Sequence, residues 1–240
     1  MEQRAATLVG AGTADKAPRR YNSVAIFSPR ANLLMKTALL SAVILLLFLS
    51  GLIWIVPVQN YNTEQHFAPR QPVMFSHEHH VGGLGLDCRY CHNSVEISAD
   101  AGMPPTETCM TCHSQIWTHA EILAPVRASF AMHKPLRWTT VNKLPDYVFF
   151  NHGIHIAKGV GCNECHGQVD KMPLMRQAHA FHMLFCVDCH SNPAPHLRPR
   201  DQIFNMGWRR TADTPSPEAL MIAYKIRPQA VLTDCGICHP

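Results

Sequence analysis

The segments Phe150-Asn151-His152-Gly153-Ile154-His155 and Cys162-Asn163-Glu164-Cys165-His166 contain the pattern that decides the fold of this chain. The sequence has 240 residues and ten cysteines, and every cysteine belongs to a Cys-x-x-Cys pair that is followed directly by histidine. The five motifs span residues 88–92, 109–113, 162–166, 186–190 and 235–239. Because no cysteine is left over, one kind of chemistry accounts for all of them.

Cys-x-x-Cys-His is the covalent attachment signature of c-type haem. Two cysteines three residues apart on one turn reach the two vinyl groups of a porphyrin, and the next histidine reaches its iron. We therefore predict five covalently bound haem c groups. The thioether positions are Cys88, Cys91, Cys109, Cys112, Cys162, Cys165, Cys186, Cys189, Cys235 and Cys238, and the proximal iron ligands are His92, His113, His166, His190 and His239.

Three other uses of paired cysteines fit the sequence less well. Zinc sites do not require a histidine directly after every pair. A disulfide framework does not space all of its cysteines as five identical pairs. Thioredoxin-like centres need a βαβ pattern, which the sequence lacks.

A strongly apolar segment, residues 33–56, reads LLMKTALLSAVILLLFLSGLIWIV. A helix of about 20 residues spans a bilayer core of roughly 30 Å. Cleavable signals have a shorter apolar region and a small-residue cleavage site, and here Trp54-Ile55-Val56-Pro57 follows instead. We predict an uncleaved membrane anchor that stops at Pro57; a buried core helix is the alternative.

Charges around this segment predict its orientation. The basic residues on its amino-terminal side are Arg4, Lys16, Arg19, Arg20, Arg30 and Lys36, against the acids Glu2 and Asp15. The positive-inside rule then places residues 1–32 in the cytoplasm as a tail, and residues 57–240 on the periplasmic side of a bacterial cytoplasmic membrane. Overall, 21 basic residues against 17 acidic ones give a net charge of +4, too small for a nucleic-acid-binding face.

The predicted periplasmic domain, residues 57–240, is small for its cofactors. It provides about 37 residues for each haem, too few to build a separate core around each porphyrin. We therefore expect a fold of short helices and loops with little β structure, in which the haems form the apolar core.

The spacing of the motifs indicates an internal duplication. Phe75-Ser76-His77-Glu78-His79-His80 precedes the first motif, Phe150–His155 precedes the third, and both read Phe-x-His-x-x-His at an offset of 75 residues. We predict two two-haem modules, residues 75–113 and 150–190. The fifth haem then belongs to residues 191–240.

Phe-x-His-x-x-His ahead of Cys-x-x-Cys-His resembles the small multihaem class III cytochromes. The resemblance implies that His77 and His152 are the distal ligands of the first and third haems, and that His80 and His155 ligate neighbouring haems. For the remaining iron, Met206 and Met183 are the named candidates, and a methionine ligand would raise that haem's potential. The other candidates are His66, His79, His119, His133, His179, His182 and His196.

The whole layout resembles the pentahaem cytochrome subunit of bacterial alternative complex III. The resemblance rests on the anchor, the five motifs in this order, the segment 103–110 (MPPTETCM) and the segment 144–152 (LPDYVFFNH). It implies that a multispanning quinol-site subunit and an iron–sulfur subunit deliver electrons to these haems. A monohaem cytochrome c subunit, a soluble carrier or a terminal oxidase would then accept them.

We accordingly expect electron relay, with no catalytic residue in the chain itself. No Cys-x-x-Cys-Lys motif is present, which argues against a pentahaem nitrite reductase. The alternative is a membrane-anchored quinol dehydrogenase that feeds a periplasmic reductase and oxidises quinol at a haem of its own. A haem storage or scaffold protein is a third possibility.

Overall fold

The computed structural model describes residues 28–239. The chain divides into two compact units, Met1–Trp54 and Ile55–Pro240. Of the tail predicted at residues 1–32, residues 1–27 lie outside the described part, and so do four of the basic residues that predict its cytoplasmic side.

The first long element is helix α1, Pro29–Thr63. Its segment Arg30–Ile55 has a mean hydropathy of 2.7 and no buried residue, so it is long and apolar enough to cross a membrane. The prediction that the helix stops at Pro57 is wrong, because α1 continues to Thr63. A proline removes one main-chain donor from a helix but leaves the hydrogen bonds of the following turns available.

Short helices and loops make up the second unit. Its α-helices are α2 Cys88–Cys91, α3 Thr106–His113, α4 Ala124–Met132, α5 His152–Ala157, α6 Cys162–His166, α7 Met183–Ser191, α8 Pro217–Ala223 and α9 Gln229–Leu232. A π-helical turn covers Glu78–Gly83, and 3-10 turns cover Glu121–Leu123, Val169–Lys171, Ala194–His196, Arg200–Gln202 and Cys235–Ile237. Residues 28–239 contain no strand, only two isolated bridges, Gln65–Gln177 and Val160–Leu197. The prediction of a mostly helical and loop fold is confirmed.

Side-chain caps start several of the helices that carry the motifs. The Asp87 carboxylate accepts from the main-chain N–H of Arg89 at the start of α2, and Asp234 accepts from Gly236 at the start of the last turn. The ring of His182 accepts from Phe185 at the start of α7. These bonds satisfy donors that a helix end leaves free, and so they hold very short helices in place.

The polypeptide buries little apolar surface of its own. Within the described residues, the buried hydrophobic side chains are Val73, Val95, Leu123, Val126, Met172, Leu197, Ile203, Met206 and Leu220. A domain of this length normally builds one contiguous core of many more side chains. A fold with porphyrins at its centre needs few buried apolar side chains of its own.

Each Phe-x-His-x-x-His segment contacts the loop that follows the Cys-x-x-Cys-His motif of the other segment. The main-chain N–H of Glu78 donates to the carbonyl of Met172, 3.1 Å away, in the loop after the third motif. Reciprocally, the N–H of Gly153 donates to the carbonyl of Ser98, 3.0 Å away, in the loop after the first motif. This exchange brings the first and third motifs together.

Candidate haem-binding site

Each attachment motif lies on a helical turn of the second unit. The first four motifs form α2, the end of α3, α6 and the end of α7, and the fifth forms the turn Cys235–Ile237. Positions three apart on a helix share one face, so both cysteines of a pair point to the same side. No disulfide joins any of the ten cysteines.

Hydrogen bonds place the first motif beside two others. The Tyr90 hydroxyl of the first motif lies 2.7 Å from the Thr111 hydroxyl of the second. Main-chain hydrogen bonds from Glu78 to Met172 and from Gly153 to Ser98 join the segments around the first and third motifs. The first motif therefore lies between the second and the third.

Contacts at the other end of the unit involve the fourth and fifth motifs. The ring of His155, in the segment that precedes the third motif, lies 6.2 Å from the ring of His190 in the fourth. Nδ1 of His190 lies 2.8 Å from the carbonyl oxygen of Leu232, which shortly precedes the fifth motif. These contacts place the motifs in the order second, first, third, fourth and fifth.

In each of three histidine pairs, the two imidazole rings face each other at the same centroid distance. The ring centroids of His80 and His113, of His152 and His166, and of His155 and His190 are each 6.2 Å apart. Histidines that bind one metal from opposite sides at about 2.0 Å place their ring centroids about 6 Å apart. Each pair joins a histidine of a Phe-x-His-x-x-His segment to one of a Cys-x-x-Cys-His motif.

His77 precedes the first motif as His152 precedes the third, so His77 is the expected partner of His92. Burial lowers the pKa of His77 to about 4, and the charges of His92 and His80 lower it further. Burial is also the main cause that lowers the pKa values of His80 and His155, and it lowers that of His166 to about 4. These imidazoles are neutral near pH 7, which is the form that binds a metal.

Main-chain carbonyls fix the tautomer of most of these rings. The Nδ1 atoms of His92, His152 and His190 lie 2.7, 2.8 and 2.8 Å from carbonyl oxygens. The Nδ1 atoms of His80, His113, His155 and His239 are bonded in the same way, at 2.8, 3.3, 2.7 and 3.0 Å. An Nδ1–H that donates to a carbonyl leaves Nε2 free to ligate.

This arrangement fits haem better than a metal held by protein alone. Among the described residues, no group of three or more His, Cys, Asp or Glu side chains could hold a metal ion. An iron that takes four equatorial nitrogens from a porphyrin needs only two protein ligands, one from each side. Facing histidine pairs beside Cys-x-x-Cys turns provide those ligands.

One phenylalanine contacts both histidines of each Phe-x-His-x-x-His segment. The Phe75 ring meets the edge of His77 at 4.9 Å and stacks on His80 at 4.3 Å, measured between centroids. The Phe150 ring does the same with His152 at 4.7 Å and His155 at 4.6 Å. Each phenyl ring thereby orients two imidazoles that face two different motifs.

At the fifth motif, the structure shows which residue contacts the Nδ1 side of the His239 ring. Its Nδ1 lies 3.0 Å from the carbonyl oxygen of Tyr147, whose ring stacks on the imidazole at 5.9 Å. Tyr147 therefore lies away from Nε2, the ligating nitrogen. Met183, 66% exposed, begins α7 beside the fifth motif, whereas Met206 is 7% exposed and lines a cleft elsewhere. Both stay predictions as distal ligands.

Several histidines named as further candidates have other contacts. His196 binds the carboxylate of Glu164, His182 caps α7, and His179 stacks on Phe185. His79 stacks on Trp117. The pattern of the sequence did not reveal these contacts, because each depends on how distant loops meet.

A buried ion pair supports the third motif. Arg198 is 1% exposed, and its guanidinium donates to Asn163 at 2.7 Å and to Glu164 at 2.8 Å. The guanidinium also lies 4.8 Å above the ring of Trp208. Since both acceptors belong to the third Cys-x-x-Cys-His motif, Arg198 fixes the conformation of its turn.

Comparison with known proteins agrees with this geometry. Residues 73–125 match the family described as cytochrome c7 and related cytochrome c. Over 114 residues, the chain is 34% identical to the menaquinone reductase multiheme cytochrome c subunit of Nitratidesulfovibrio vulgaris. That alignment covers 47% of this chain and 51% of the relative, so the chain spans about half the length of the curated protein it matches.

The motifs, the facing histidines and the two matches lead to the same conclusion. Residues 73–125 thus resemble a cytochrome c7 domain, and the five motifs with their facing histidines are suited to covalently bound haem c. Its apolar amino-terminal helix is compatible with a membrane anchor.

Proposed function

We propose that this chain is a membrane-anchored pentahaem cytochrome that relays electrons from a quinol-oxidising complex to an acceptor. The observation that carries the proposal is the repeated 6.2 Å separation of facing imidazoles, in pairs that each include a motif histidine. Two imidazoles at an iron would leave it no free coordination position for substrate. Such a site transfers electrons and does not bind a reactant.

The residues of the chain have three roles in this proposal. The cysteine pairs anchor each haem, the facing histidines hold its iron, and the carbonyls behind them fix the ring orientation. Bound haem supplies one-electron chemistry at each position. Burial lowers the pKa of His166 to about 4, so its imidazole is neutral near pH 7.

The order of the attachment cysteines gives the relay two ends. The second motif, with Cys109 and Cys112, lies at one end, and the fifth, with Cys235 and Cys238, lies at the other. Electrons that enter at either end pass through the first, third and fourth positions in that spatial order. The order in space therefore differs from the order in sequence.

Quinol as the ultimate electron source is supported by two independent resemblances. The matched relative is named as a menaquinone reductase subunit, and the motif layout resembles the pentahaem subunit of alternative complex III. We propose an iron–sulfur subunit and a multispanning quinol-site subunit as partners on the donor side. A monohaem cytochrome c subunit or a soluble carrier is the proposed acceptor, and α1 anchors the haem domain on the periplasmic face.

Purification from native membranes in mild detergent tests this proposal. We expect a large assembly that contains an iron–sulfur subunit and a multispanning subunit, and that loses quinol oxidation when the other subunits are removed. Recovery of the chain alone, or with only a periplasmic reductase, while it still oxidises quinol, would establish the quinol dehydrogenase instead.

The number of haems is tested separately by mass spectrometry of the denatured chain. We expect the mass to exceed that of the polypeptide by five haems. Changing Cys235 and Cys238 to alanine should remove one haem and leave four. A wild-type chain with fewer than five would contradict the assignment of all five motifs.

A further inference from the structure

The loops that follow the first and third motifs differ in length. Met103 follows Val95 by eight residues in the first loop, whereas Met172 follows Val169 by three residues in the second. Both valines lie three residues after a motif histidine, and both methionines precede a proline. The second loop is therefore the shorter by five residues.

The longer loop supplies hydrogen-bond acceptors to two ligand histidines. The carbonyl of Gly102 accepts from Nδ1 of His92 at 2.7 Å, and the carbonyl of Ala99 accepts from Nδ1 of His152 at 2.8 Å. His92 belongs to the first motif, and His152 faces the third. One loop thus supports one ligand at each of two neighbouring positions.

The shorter loop lies in the equivalent position relative to His77 and His166. It supplies no hydrogen-bond acceptor to Nδ1 of either ring. It docks through the carbonyl of Met172, which binds the main chain of Glu78, and Asp170 packs against Gly82. The Nδ1 atoms of His77 and His166 are buried there without a protein partner. These are the two rings that correspond to His152 and His92 in the reciprocal arrangement.

The four histidines assigned to the second and fourth positions each have a carbonyl acceptor near Nδ1. The Nδ1 atoms of His80 and His113 lie near the carbonyls of Ser76 and Ile116. Those of His155 and His190 lie near the carbonyls of Asn151 and Leu232. The missing acceptors are thus confined to the first and third positions.

A hydrogen bond from Nδ1 to a carbonyl makes an imidazole a stronger electron donor to its metal. A stronger donor stabilises ferric iron and lowers the reduction potential. We infer that His77 and His166 give the haems at the first and third motifs higher reduction potentials than those at the second and fourth. This inference rests on the proposed histidine ligation.

The two higher-potential positions are neighbours. Main-chain hydrogen bonds from Glu78 to Met172 and from Gly153 to Ser98 join the segments around the first and third motifs. Oxidation of one quinol to quinone releases two electrons and two protons, with the protons leaving at the site of oxidation. Haems held by His77 with His92 and by His152 with His166 would supply two adjacent one-electron acceptors. These residues would thus let the centre of the relay hold both electrons of one quinol.

Redox titration of the purified full-length holoprotein, followed by visible absorption, tests the order of potentials. His77→Met and His152→Met each exchange a proposed distal ligand at the first or third position, and should raise the potential of that step alone. His80→Met and His155→Met are the matched controls for the second and fourth positions. Changing Cys235 and Cys238 to alanine removes the fifth step and so identifies it.

We expect the wild-type steps assigned to His77 and His152 to lie above the two control steps. The expected separation is about tenfold in the equilibrium constant, or about 59 mV for a one-electron couple. A complete titration in which these steps lie at or below the control steps would overturn the inference and leave the ligation intact. A His→Met variant that moves no step would overturn the ligation at that position, and the inference with it.

A loop exchange tests the cause directly. Residues 170–171 are replaced by the sequence of residues 96–102, with glutamine and asparagine in place of its two acids so that the net charge is unchanged. Restored acceptors should lower the first and third potentials toward those of the second and fourth. No shift in a variant with the wild-type haem content would contradict the role of the loop, and the point variants remain decisive if the exchange misfolds.

Discussion

The imidazoles of His152 and His166 lie 6.2 Å apart, with their ring planes only 7° from parallel, although they come from two different helices. His152 starts α5 and His166 ends α6. The orientation of His152 depends on support from behind its ring. For His152, that support is the carbonyl of Ala99 on one side and the edge of Phe150 on the other.

The first prediction concerns the phenyl rings that contact two ligands at once. Because Phe150 contacts His152 and His155, Phe150→Leu should shift the third and fourth redox steps together, whereas Phe75→Leu should shift the first and second. Aromatic contacts of this kind contribute about 0.5–1.5 kcal/mol each beyond their buried area. Redox titration of the two variants measures the shifts.

Phe130→Leu is the matched control, because Phe130 lies on α4 and is 39% exposed. It should leave all the steps in place. A Phe150→Leu variant that moves a single step would show that the phenyl ring does not couple the two imidazoles.

The second prediction concerns the ion pair behind the third motif. Arg198→Met leaves the Glu164 carboxylate without its buried partner, and should destabilise the domain by about 3–5 kcal/mol. Urea denaturation, followed by circular dichroism, measures this loss. Arg210→Met is the control. Arg210 donates to the carbonyls of Leu197 and Pro215 and forms no ion pair with a carboxylate of the described residues. Its loss should cost less than about 1.5 kcal/mol. Equal losses in the two variants would contradict the special role of Arg198.

The short-range patterns of the sequence predict most of the fold and part of the site. The apolar run at residues 33–56 predicts α1, and the motifs predict the short helices that carry them. The segments 75–80 and 150–155 predict which histidines lie close to motif histidines. Each of these features depends on residues that are near one another in the chain.

Long-range features could not be predicted in the same way. Arg198 and Glu164 are 34 residues apart, and His190 and Leu232 are 42 apart, so only the folded loops bring them together. The end of α1 at Thr63 was also missed, because a proline does not by itself end a helix. The neighbouring positions of Cys88 and Cys162 follow from the exchange of loops, which no local pattern encodes.

The third prediction concerns Gly159, which has a φ of +82°. A Cβ at this position would lie 2.5 Å from the Tyr224 ring and 2.9 Å from the carbonyl of Arg198. Gly159→Ala should therefore lower the melting temperature through both backbone strain and steric overlap. Gly85→Ala isolates the strain, because Gly85 has a φ of +68° and nothing within 4 Å of its Cβ position. Equal losses in the two variants would show that the contact with Tyr224 adds nothing.

The last prediction is a pH dependence that arises from His196 and Glu164, whose Nδ1 and carboxylate oxygen are 2.9 Å apart. The hydrogen bond that His196 donates to the Glu164 carboxylate raises the pKa of His196 above its ordinary value of 6.5. Burial acts to raise the pKa of Glu164, but His196 and Arg198 outweigh it and hold that pKa below 4.5.

The folded state therefore holds the His196 proton more tightly than the unfolded chain does. This stabilisation is complete below pH 6.5 and is lost as the pH rises through the folded-state pKa of His196. The contribution of Glu164 is present above pH 4.5 and is lost as the pH falls through its own lowered pKa. The pair consequently stabilises the domain most in mildly acidic solution, between those two limits.

His196→Gln should accordingly lower the urea midpoint more at about pH 5.5 than at about pH 8.5. Denaturation curves of the wild-type and variant holoproteins at the two pH values measure the difference. His119→Gln, at an exposed histidine, is the control and should give the same small change at both. A His196→Gln effect that is larger at the higher pH would show that His196 binds Glu164 as a neutral imidazole, and that its proton contributes nothing to stability.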